Sequence, residues 1–237
     1  MWNKVQRIYI GSTLVRPKWK PWANTIAYYP LETSWASWIW WTALTTTWVT
    51  YATETTWKKY AVFSWTITNN GWKWATVAVS DYWYNLTHSF WAKTTGNWTA
   101  SGIGSNRWDF LRLESGNKSV YWCSCWFKGD GQVMSYADGT SSETTWYAIP
   151  LDNTRHHYCM TYTSSATNLY FDGVLIKTAG GGSSTRYSWT MYIWNNSAAY
   201  YYWYNWGLSE LITENVARTQ AEITEYFNLT KWNYWVS

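Results

Sequence analysis

Short runs of alternating apolar and polar residues fill most of this chain. Clear cases are "KVQRIYI" (4–10), "KKYAVFS" (58–64), "ATVAVS" (75–80) and "SVYWCSCWF" (119–127). A period of two places successive side chains on opposite faces of a β-strand. Clusters of turn-forming residues separate the runs, and helical segments between them are absent. The pattern predicts an all-β fold, a two-sheet antiparallel sandwich.

Further runs of the same kind predict the remaining strands. They are "NTIAYYPLE" (24–32), "VTYAT" (49–53), "FLRLE" (110–114), "QVMSYA" (132–137), "HHYCMTYT" (156–163), "NLYF" (168–171), "VLIKT" (174–178), "TMYI" (190–193) and "LSELI" (208–212). Asp172-Gly173 lies between the runs "NLYF" and "VLIKT". Asp-Gly supplies positive φ cheaply at both central positions of a type I′ turn, so this pair predicts a tight hairpin.

One short C-terminal helix is predicted in "ARTQAEITEYF". Thr219 and Glu222 have the spacing of a capping box, and Ile223 with Phe227 forms an apolar pair four residues apart. We expect three parts in the chain: an arm of strand and linker (1–24), the sandwich (25–229) and a short tail (230–237).

Composition and charge exclude several classes of protein. The net charge is only +4, and Lys and Arg are scattered, whereas nucleic-acid binding needs a basic cluster. No run of about 18 apolar residues is present, so membrane insertion is not expected. The first residues, "MWNKVQRIYIGSTLVRP", lack the apolar core of a signal peptide.

The three cysteines, Cys123, Cys125 and Cys159, do not form an even set, which argues against a disulfide framework. We expect free thiols and no metal, although His156 or His157 could complete a metal site with Cys123 and Cys125. No cofactor is expected. Ca²⁺ stays an open alternative without a motif, since the acidic turns at Asp130 and Asp138 lack a D-x-D-x-D loop.

Several motifs together resemble the laminin-G-like, concanavalin-A-like jelly-roll family of bacterial and phage proteins. They are "CSCWFKGDG", "HHYCMTYTSSATNLYFDGVLIKTAG", "TMYIWNN" and "LSELITENVARTQAEITEYF". The match is good from about 119 to 227 and thin before 118. The resemblance implies a jelly roll, an extracellular, cell-surface or virion location, and a part in a phage tail fibre or bacterial surface protein.

Tryptophan is strangely abundant: 25 Trp stand beside only 14 Gly. Many Trp occupy positions where a turn favours a small residue, and Trp194, Trp203 and Trp65 stand at or beside positions where the family carries glycine. We interpret this as a change of genetic code, in which UGA codons read as glycine in the organism have been translated as Trp. The alternative is a natural aromatic-rich surface. Trp108 and Trp126 fit as genuine tryptophans.

Catalytic motifs are missing. Glycosidases of this fold need two or three carboxylates alternating on one strand, and Glu114, Glu143 and Glu210 are isolated. No G-x-S-x-G elbow is present either. His156 and His157 are interpreted as structural residues, with one of the pair pointing inward. We therefore expect a protein that is not an enzyme.

The densest cluster of sugar-binding chemistry that does not depend on Trp lies in "AAYYYWYNW". Tyrosine rings offer a flat apolar body with a polar tip, suited to stacking on a sugar. The predicted ligand-binding residues are Tyr200, Tyr201, Tyr202, Tyr204, Asn195, Asn196, Asn205 and Arg186.

The predicted function is non-enzymatic binding of a glycan or other cell-surface ligand, by a monomer, a homo-oligomer or part of a larger assembly. A purely structural virion or surface-layer module without a ligand is the first alternative. A glycoside hydrolase of the same fold is the second and weaker one.

Overall fold

The computed structural model shows a β-rich chain with mostly antiparallel sheets and one short helix. It describes the backbone of the strands given below, and it describes side chains for residues 85–93, 154–180 and 207–232 together with Tyr147, Asp152 and Tyr234. The all-β expectation is confirmed. No helix in these described parts of the chain is long and apolar enough to cross a membrane.

The described residues form seventeen strands. They are β1 (Ile8–Ile10), β2 (Thr13–Val15), β3 (Thr25–Tyr29), β4 (Thr45–Thr47), β5 (Thr50–Thr53), β6 (Lys59–Ser64), β7 (Trp74–Val79), β8 (Leu86–Thr94), β9 (Arg107–Ser115), β10 (Tyr121–Lys128), β11 (Gln132–Ala137), β12 (Tyr147–Ala148), β13 (Arg155–Tyr162), β14 (Ala166–Phe171), β15 (Val174–Gly180), β16 (Trp189–Asn195) and β17 (Asn205–Glu214). The helix α1 (Gln220–Thr230) follows, with a single 3₁₀ turn at Lys231–Asn233.

The strands form two large sheets and one small one. The seven-stranded sheet has the order β12-β11-β10-β9-β16-β7-β4, and the eight-stranded sheet has the order β15-β14-β13-β8-β17-β6-β5, with β3 also paired to β17. β1 and β2 pair with each other. The predicted run 49–53 corresponds to β5 in the eight-stranded sheet, whereas β4, just before it in the chain, belongs to the seven-stranded sheet.

Strand β8 lies in the middle of the eight-stranded sheet, between β13 and β17, and was not predicted. Its polar residues Thr87, His88 and Ser89 are as buried as its apolar ones. Thr87 donates to the Val216 carbonyl at 2.6 Å, and a ring nitrogen of His88 lies 2.9 Å from the Thr213 hydroxyl. Because these bonds give buried polar atoms a partner, polar residues can occupy positions where a sequence pattern predicts apolar ones.

Both faces of the eight-stranded sheet are buried around β8 and β13. On one face Phe90 stacks on Tyr158 with ring centroids 5.5 Å apart. On the other face Trp91 stacks on Tyr234 at 4.5 Å and on Phe227 of α1 at 5.7 Å. Every residue of β13 is buried, which is typical of a strand covered on both sides.

The hairpin between β14 and β15 turns at Asp172 and Gly173, as predicted, with φ values of 48° and 77°. Its tip lies against α1. The Gln220 and Thr224 side chains both donate to the Gly173 carbonyl, and the Leu175 amide donates to Gln220 at 2.8 Å. A Cβ on Gly173 would lie 2.9 Å from the Cβ of Phe227, so glycine is needed here for conformation and for space.

The predicted capping box of α1 is confirmed. Thr219 accepts from the Glu222 amide, and Glu222 accepts from the Thr219 amide at 2.8 Å. Arg218 binds Glu214 of β17 at 2.8 Å and Glu222 at 3.0 Å, joining the last strand to the helix. Burial lowers the pKa of Arg218, but its bonds to both carboxylates outweigh that effect and raise the pKa further.

Candidate ligand-binding rim

A group of polar side chains collects at one end of the eight-stranded sheet, where β13 begins and the hairpin after β14 turns. It consists of Asp152, Thr154, His156, Phe171 and Asp172, and we call it the rim cluster. The first two residues precede β13, the third lies on β13, and the last two end β14 and begin the turn. The antiparallel pairing of β13 with β14 brings these separate segments together.

His156 is the centre of the rim cluster. Its Nδ1 lies 2.7 Å from Oδ2 of Asp172, and its Nε2 lies 3.2 Å and 3.3 Å from the two oxygens of Asp152. Its ring stacks on Phe171 with centroids 4.7 Å apart. The imidazole is thus held between two carboxylates and against an aromatic ring.

The electrostatics of the rim cluster favour the charged forms. Burial lowers the pKa of His156, but the hydrogen bond and charge of Asp172, and then those of Asp152, outweigh burial and raise the pKa above its usual value. Burial raises the pKa of Asp152, but hydrogen bonds from Thr154 and the charge of His156 bring it below its usual value. Opposite charges within a few ångströms have this effect on each other.

Asp152 and Thr154 are the exposed members of the group, and 45% of the Asp152 side chain is accessible to solvent. Its Oδ1 accepts from the Thr154 amide at 2.9 Å and from the Thr154 hydroxyl at 2.7 Å. These bonds and His156 fix the orientation of a carboxylate that solvent can reach. An exposed, oriented carboxylate beside aromatic rings can accept hydrogen bonds from the hydroxyl groups of a ligand.

The start of β17 lies at the same end of the sheet. Gly207 and Arg155 both pair with Lys93 of β8, one from each side. The Arg155 guanidinium also reaches across β8 to the Gly207 carbonyl, at 3.3 Å. Two strand spacings separate β13 from β17, so the backbones of Arg155 and Gly207 lie about 10 Å apart.

Two of the predicted ligand-binding residues, Asn195 and Asn205, lie on strands that the structure describes. Asn195 ends β16 in the seven-stranded sheet, where it pairs with Asp109, and Asn205 begins β17, where it pairs with Ser64. Segment 196–204 therefore connects the two large sheets. The other predicted residues, Arg186, Asn196, Tyr200, Tyr201, Tyr202 and Tyr204, lie outside the described residues.

The other two histidines are buried in the interior. His157 lies on the helix side of the sheet, bonded to the Ser89 hydroxyl at 2.7 Å and 5.3 Å from the Trp91 ring. Burial lowers the pKa of both His88 and His157 to about 3. We expected only one of His156 and His157 to point inward. Both side chains are buried, because β13 is covered on both faces.

Glu210 and Cys159 also lie in the interior. Glu210 has a φ of 50° at a bulge in β17 and accepts from the Tyr226 hydroxyl at 3.0 Å. Cys159 is a buried free thiol whose pKa burial raises well above the usual value. Among the described side chains no group of three or more His, Cys, Asp or Glu is placed to hold a metal ion. Cys123 and Cys125 lie on β10, but their side chains fall outside that set.

Sequence reasoning missed the role of Asp152 in the rim cluster. The signal available was "DNTRHHY", in which an Asp stands two residues before a Thr and four before a His at a strand start. An Asp at this spacing often accepts from the backbone two residues later. Its closeness to Asp172 depends on the pairing of β13 with β14, which the local sequence does not specify.

No family model and no curated protein matches this sequence. Solved structures do match its fold. One is the binding domain of botulinum neurotoxin DC in complex with SialylT, at 12% identity and a TM-score of 0.67, covering 86% of this chain and 51% of that one. The chain therefore spans about half the length of this toxin domain.

Two further structures are similar. Botulinum neurotoxin type C, whose uptake into cells depends on interaction with two ganglioside molecules, matches with 10% identity, a TM-score of 0.65, and 86% and 51% coverage of the two chains. Trypanosoma rangeli sialidase in complex with 2,3-difluoro-KDN matches with 13% identity, a TM-score of 0.61, and 89% and 33% coverage. These matches confirm a β-rich fold. None of the three is named as a laminin-G-like protein, so that finer assignment stays a prediction.

Proposed function

We propose that this chain is a non-enzymatic module that binds glycans or other cell-surface material. The observation that carries the proposal is the convergence at one end of the eight-stranded sheet. The exposed carboxylate of Asp152, oriented by Thr154 and His156, lies at the end of that sheet where β17 begins. The tyrosine-rich segment 196–204 directly precedes β17 in the sequence.

Two further facts support this function. The structural neighbours include toxin domains linked by name to gangliosides and to a sialylated ligand. Aromatic rings and oriented hydroxyl acceptors are the groups that sugar recognition uses. The guanidinium of Arg155, beside the rim cluster, donates to the Gly207 carbonyl.

We propose that the two large sheets pack face to face as a laminin-G-like jelly roll. The burial of both faces around β8 supports this, because α1 covers one face and the other needs a second layer. On this reading the module acts outside the cell, on a phage tail fibre or a bacterial surface protein. Neighbouring genes for tail or capsid proteins would support the virion setting.

The experiment that tests the function is a binding screen on neutral and sialylated glycans, followed by NMR titration with lactose and 3′-sialyllactose. We expect Tyr202→Ala to weaken binding about fivefold to tenfold, because a stacked aromatic contributes on the order of 1 kcal/mol. The matched control is Tyr147→Ala, an exposed tyrosine on edge strand β12 of the other sheet.

Two results would contradict this function. If no glycan binds, the structural module without a ligand is the better description. If a reducing-sugar or sialic-acid release assay shows turnover, the protein is a hydrolase of the same fold. Loss of binding with Tyr147→Ala and not with Tyr202→Ala would move the site away from the rim.

We also propose that a subset of the tryptophans are glycines in the organism. Trp194 lies within β16 and Trp206 within β17, so at these two positions the argument from turns does not apply and the case rests on the resemblance. The gene tests the idea directly. We expect UGA at Trp65, Trp194 and Trp203, and UGG at all three would contradict it.

A further inference from the structure

We propose that Asp152, His156 and Asp172 form a proton-operated clasp that holds the binding rim in one shape. With His156 protonated, the clasp ties the turn at 152–154 and the hairpin at Asp172-Gly173 to the start of β13. When His156 loses its proton, the turn at 152–154 is released and ligand affinity at the rim falls. This inference rests on the proposed function for its consequence, but the clasp itself can be tested without any ligand.

The clasp follows from the number of protons on the imidazole ring. Both ring nitrogens of His156 face oxygens: Asp172 Oδ2 at 2.7 Å from Nδ1, and the Asp152 carboxylate at 3.2 Å and 3.3 Å from Nε2. A neutral imidazole carries one N–H, whereas imidazolium carries two. Only the protonated ring can therefore donate to both carboxylates.

Thr154 cannot substitute for the missing proton. Its hydroxyl lies 3.0 Å from Nε2 of His156, but the same hydroxyl donates to Asp152 Oδ1 at 2.7 Å. If it turned to donate to a neutral Nε2, the carboxylate would lose that bond as well. The longer contacts, on the Asp152 side, are the ones we expect to break when the ring becomes neutral.

The charged groups around His156 all favour the closed clasp. Asp172 faces it from the hairpin and Asp152 from the turn before β13, and Phe171 of β14 stacks on it. The residue opposite it on β8 is Ala92, which carries no charge. The raised pKa of His156 agrees with this geometry, the larger contribution being the hydrogen bond and charge of Asp172.

The clasp also fixes two backbone amides that report on it. The Thr154 amide donates to Asp152 Oδ1 at 2.9 Å, and the His157 amide donates to Asp172 Oδ1 at 2.9 Å. Release of Asp152 should expose the first amide. The second should stay protected, because Asp172 keeps its short bond to the ring and its place in the hairpin.

The test is an NMR titration of the full chain from pH 5.5 to 8.5, with amide exchange corrected for its intrinsic pH dependence. We expect His156 to titrate above 6.5 and the protection of the Thr154 amide to fall about tenfold across that titration. His156→Gln should remove the pH dependence. A His156 that titrates below 6.5, or a Thr154 amide whose protection ignores the titration, would overturn the clasp.

Two conservative variants guard against misfolding. Asp172→Asn keeps a residue that tolerates positive φ and still accepts from the His157 amide, while removing one charge. Asp152→Asn removes the other. We expect both to lower the pKa of His156, with the larger drop for Asp172→Asn, and the reverse order would count against the geometry proposed.

Binding of lactose and 3′-sialyllactose at pH 5.5 and 8.5 separates the clasp from the function. A severalfold loss of affinity at the higher pH in the native chain, absent in His156→Gln, supports both. If neither sugar binds at any pH while the Thr154 amide still follows the titration, the clasp stands and glycan binding by these probes fails. If the clasp opens as the pH rises but the affinity for sugar stays the same, the proposed coupling between the clasp and ligand binding is wrong.

Discussion

Trp91 is the side chain on which β8, β13 and α1 meet. It is fully buried, and it contacts His157, Phe227 and Tyr234 at ring distances of 4.5–5.7 Å. We expect Trp91→Ala to lower the free energy of unfolding by about 3–5 kcal/mol, since a large cavity would remain. Urea denaturation measures the change.

Trp232 provides the matched control. It is 52% exposed, so Trp232→Ala should change the free energy of unfolding by no more than about 0.5 kcal/mol. Equal losses for the two variants would mean that Trp91 does not occupy the core. The contrast also bears on the genetic code, because a Trp with a fitted core position is expected at a UGG codon.

At the scale of single residues, the sequence predicts the role of a side chain better than it predicts which distant residues the side chain contacts. The structural reading of His157 agrees with its burial, and Thr219 and Glu222 have the roles that their spacing indicates. Asp152 could not be assigned, because its partners His156 and Asp172 meet only after β13 and β14 have paired. Nothing described here tests the tyrosines of segment 196–204, so their role stays a prediction.

Among the elements, the hairpin at Asp172-Gly173 is the connection most sensitive to a small change. Gly173 has positive φ and faces Phe227 with no room for a Cβ. We expect Gly173→Ala to cost about 1–3 kcal/mol of stability, because it combines backbone strain with a clash against α1. Thermal or urea unfolding followed by circular dichroism gives the value.

Gly180→Ala is the comparison for that variant, since Gly180 lies at the exposed end of β15. It should be close to neutral. A Gly173→Ala protein as stable as the native chain would show that the hairpin does not press against the helix.

Elements with a strong local signal were predicted, and those set by distant contacts were not. The Asp-Gly turn and the capping box act within four residues, so they can be read from the sequence. β8 was missed because its Thr87, His88 and Ser89 are buried with partners far away in the chain. The division of 45–53 into β4 and β5 likewise depends on which sheet each half joins.

For the whole molecule, the buried histidines make stability depend on pH. His88 and His157 have pKa values of about 3 when folded and about 6.5 when unfolded, so the unfolded chain binds more protons between these values. The contribution of these two histidines should therefore be fully present above pH 6.5 and fall on acidification, by up to about 1.4 kcal/mol per pH unit for each histidine. Urea unfolding between pH 6.5 and 5 measures this slope, which His157→Asn should reduce.

His156 acts in the opposite direction and in a different range. Its pKa is raised in the folded protein, so its contribution is present below 6.5 and is lost as the pH rises through the folded value. The acid limb of the stability curve thus belongs to the two interior histidines and the alkaline limb to the rim. An acid limb that keeps its slope in His157→Asn would contradict the assignment.

The place of β8 has a consequence for how the chain is made. Both of its neighbours in the sheet, β13 and β17, come later in the sequence, and β17 is the last of the described strands. On the ribosome, β8 is synthesised before either of its partner strands. Until they follow, the backbone groups along both of its edges have no strand to pair with. Unpaired edges recruit other chains, and pairing across long separations is slow. A strand at the centre of the finished sheet is thus exposed to aggregation while the protein is being synthesised.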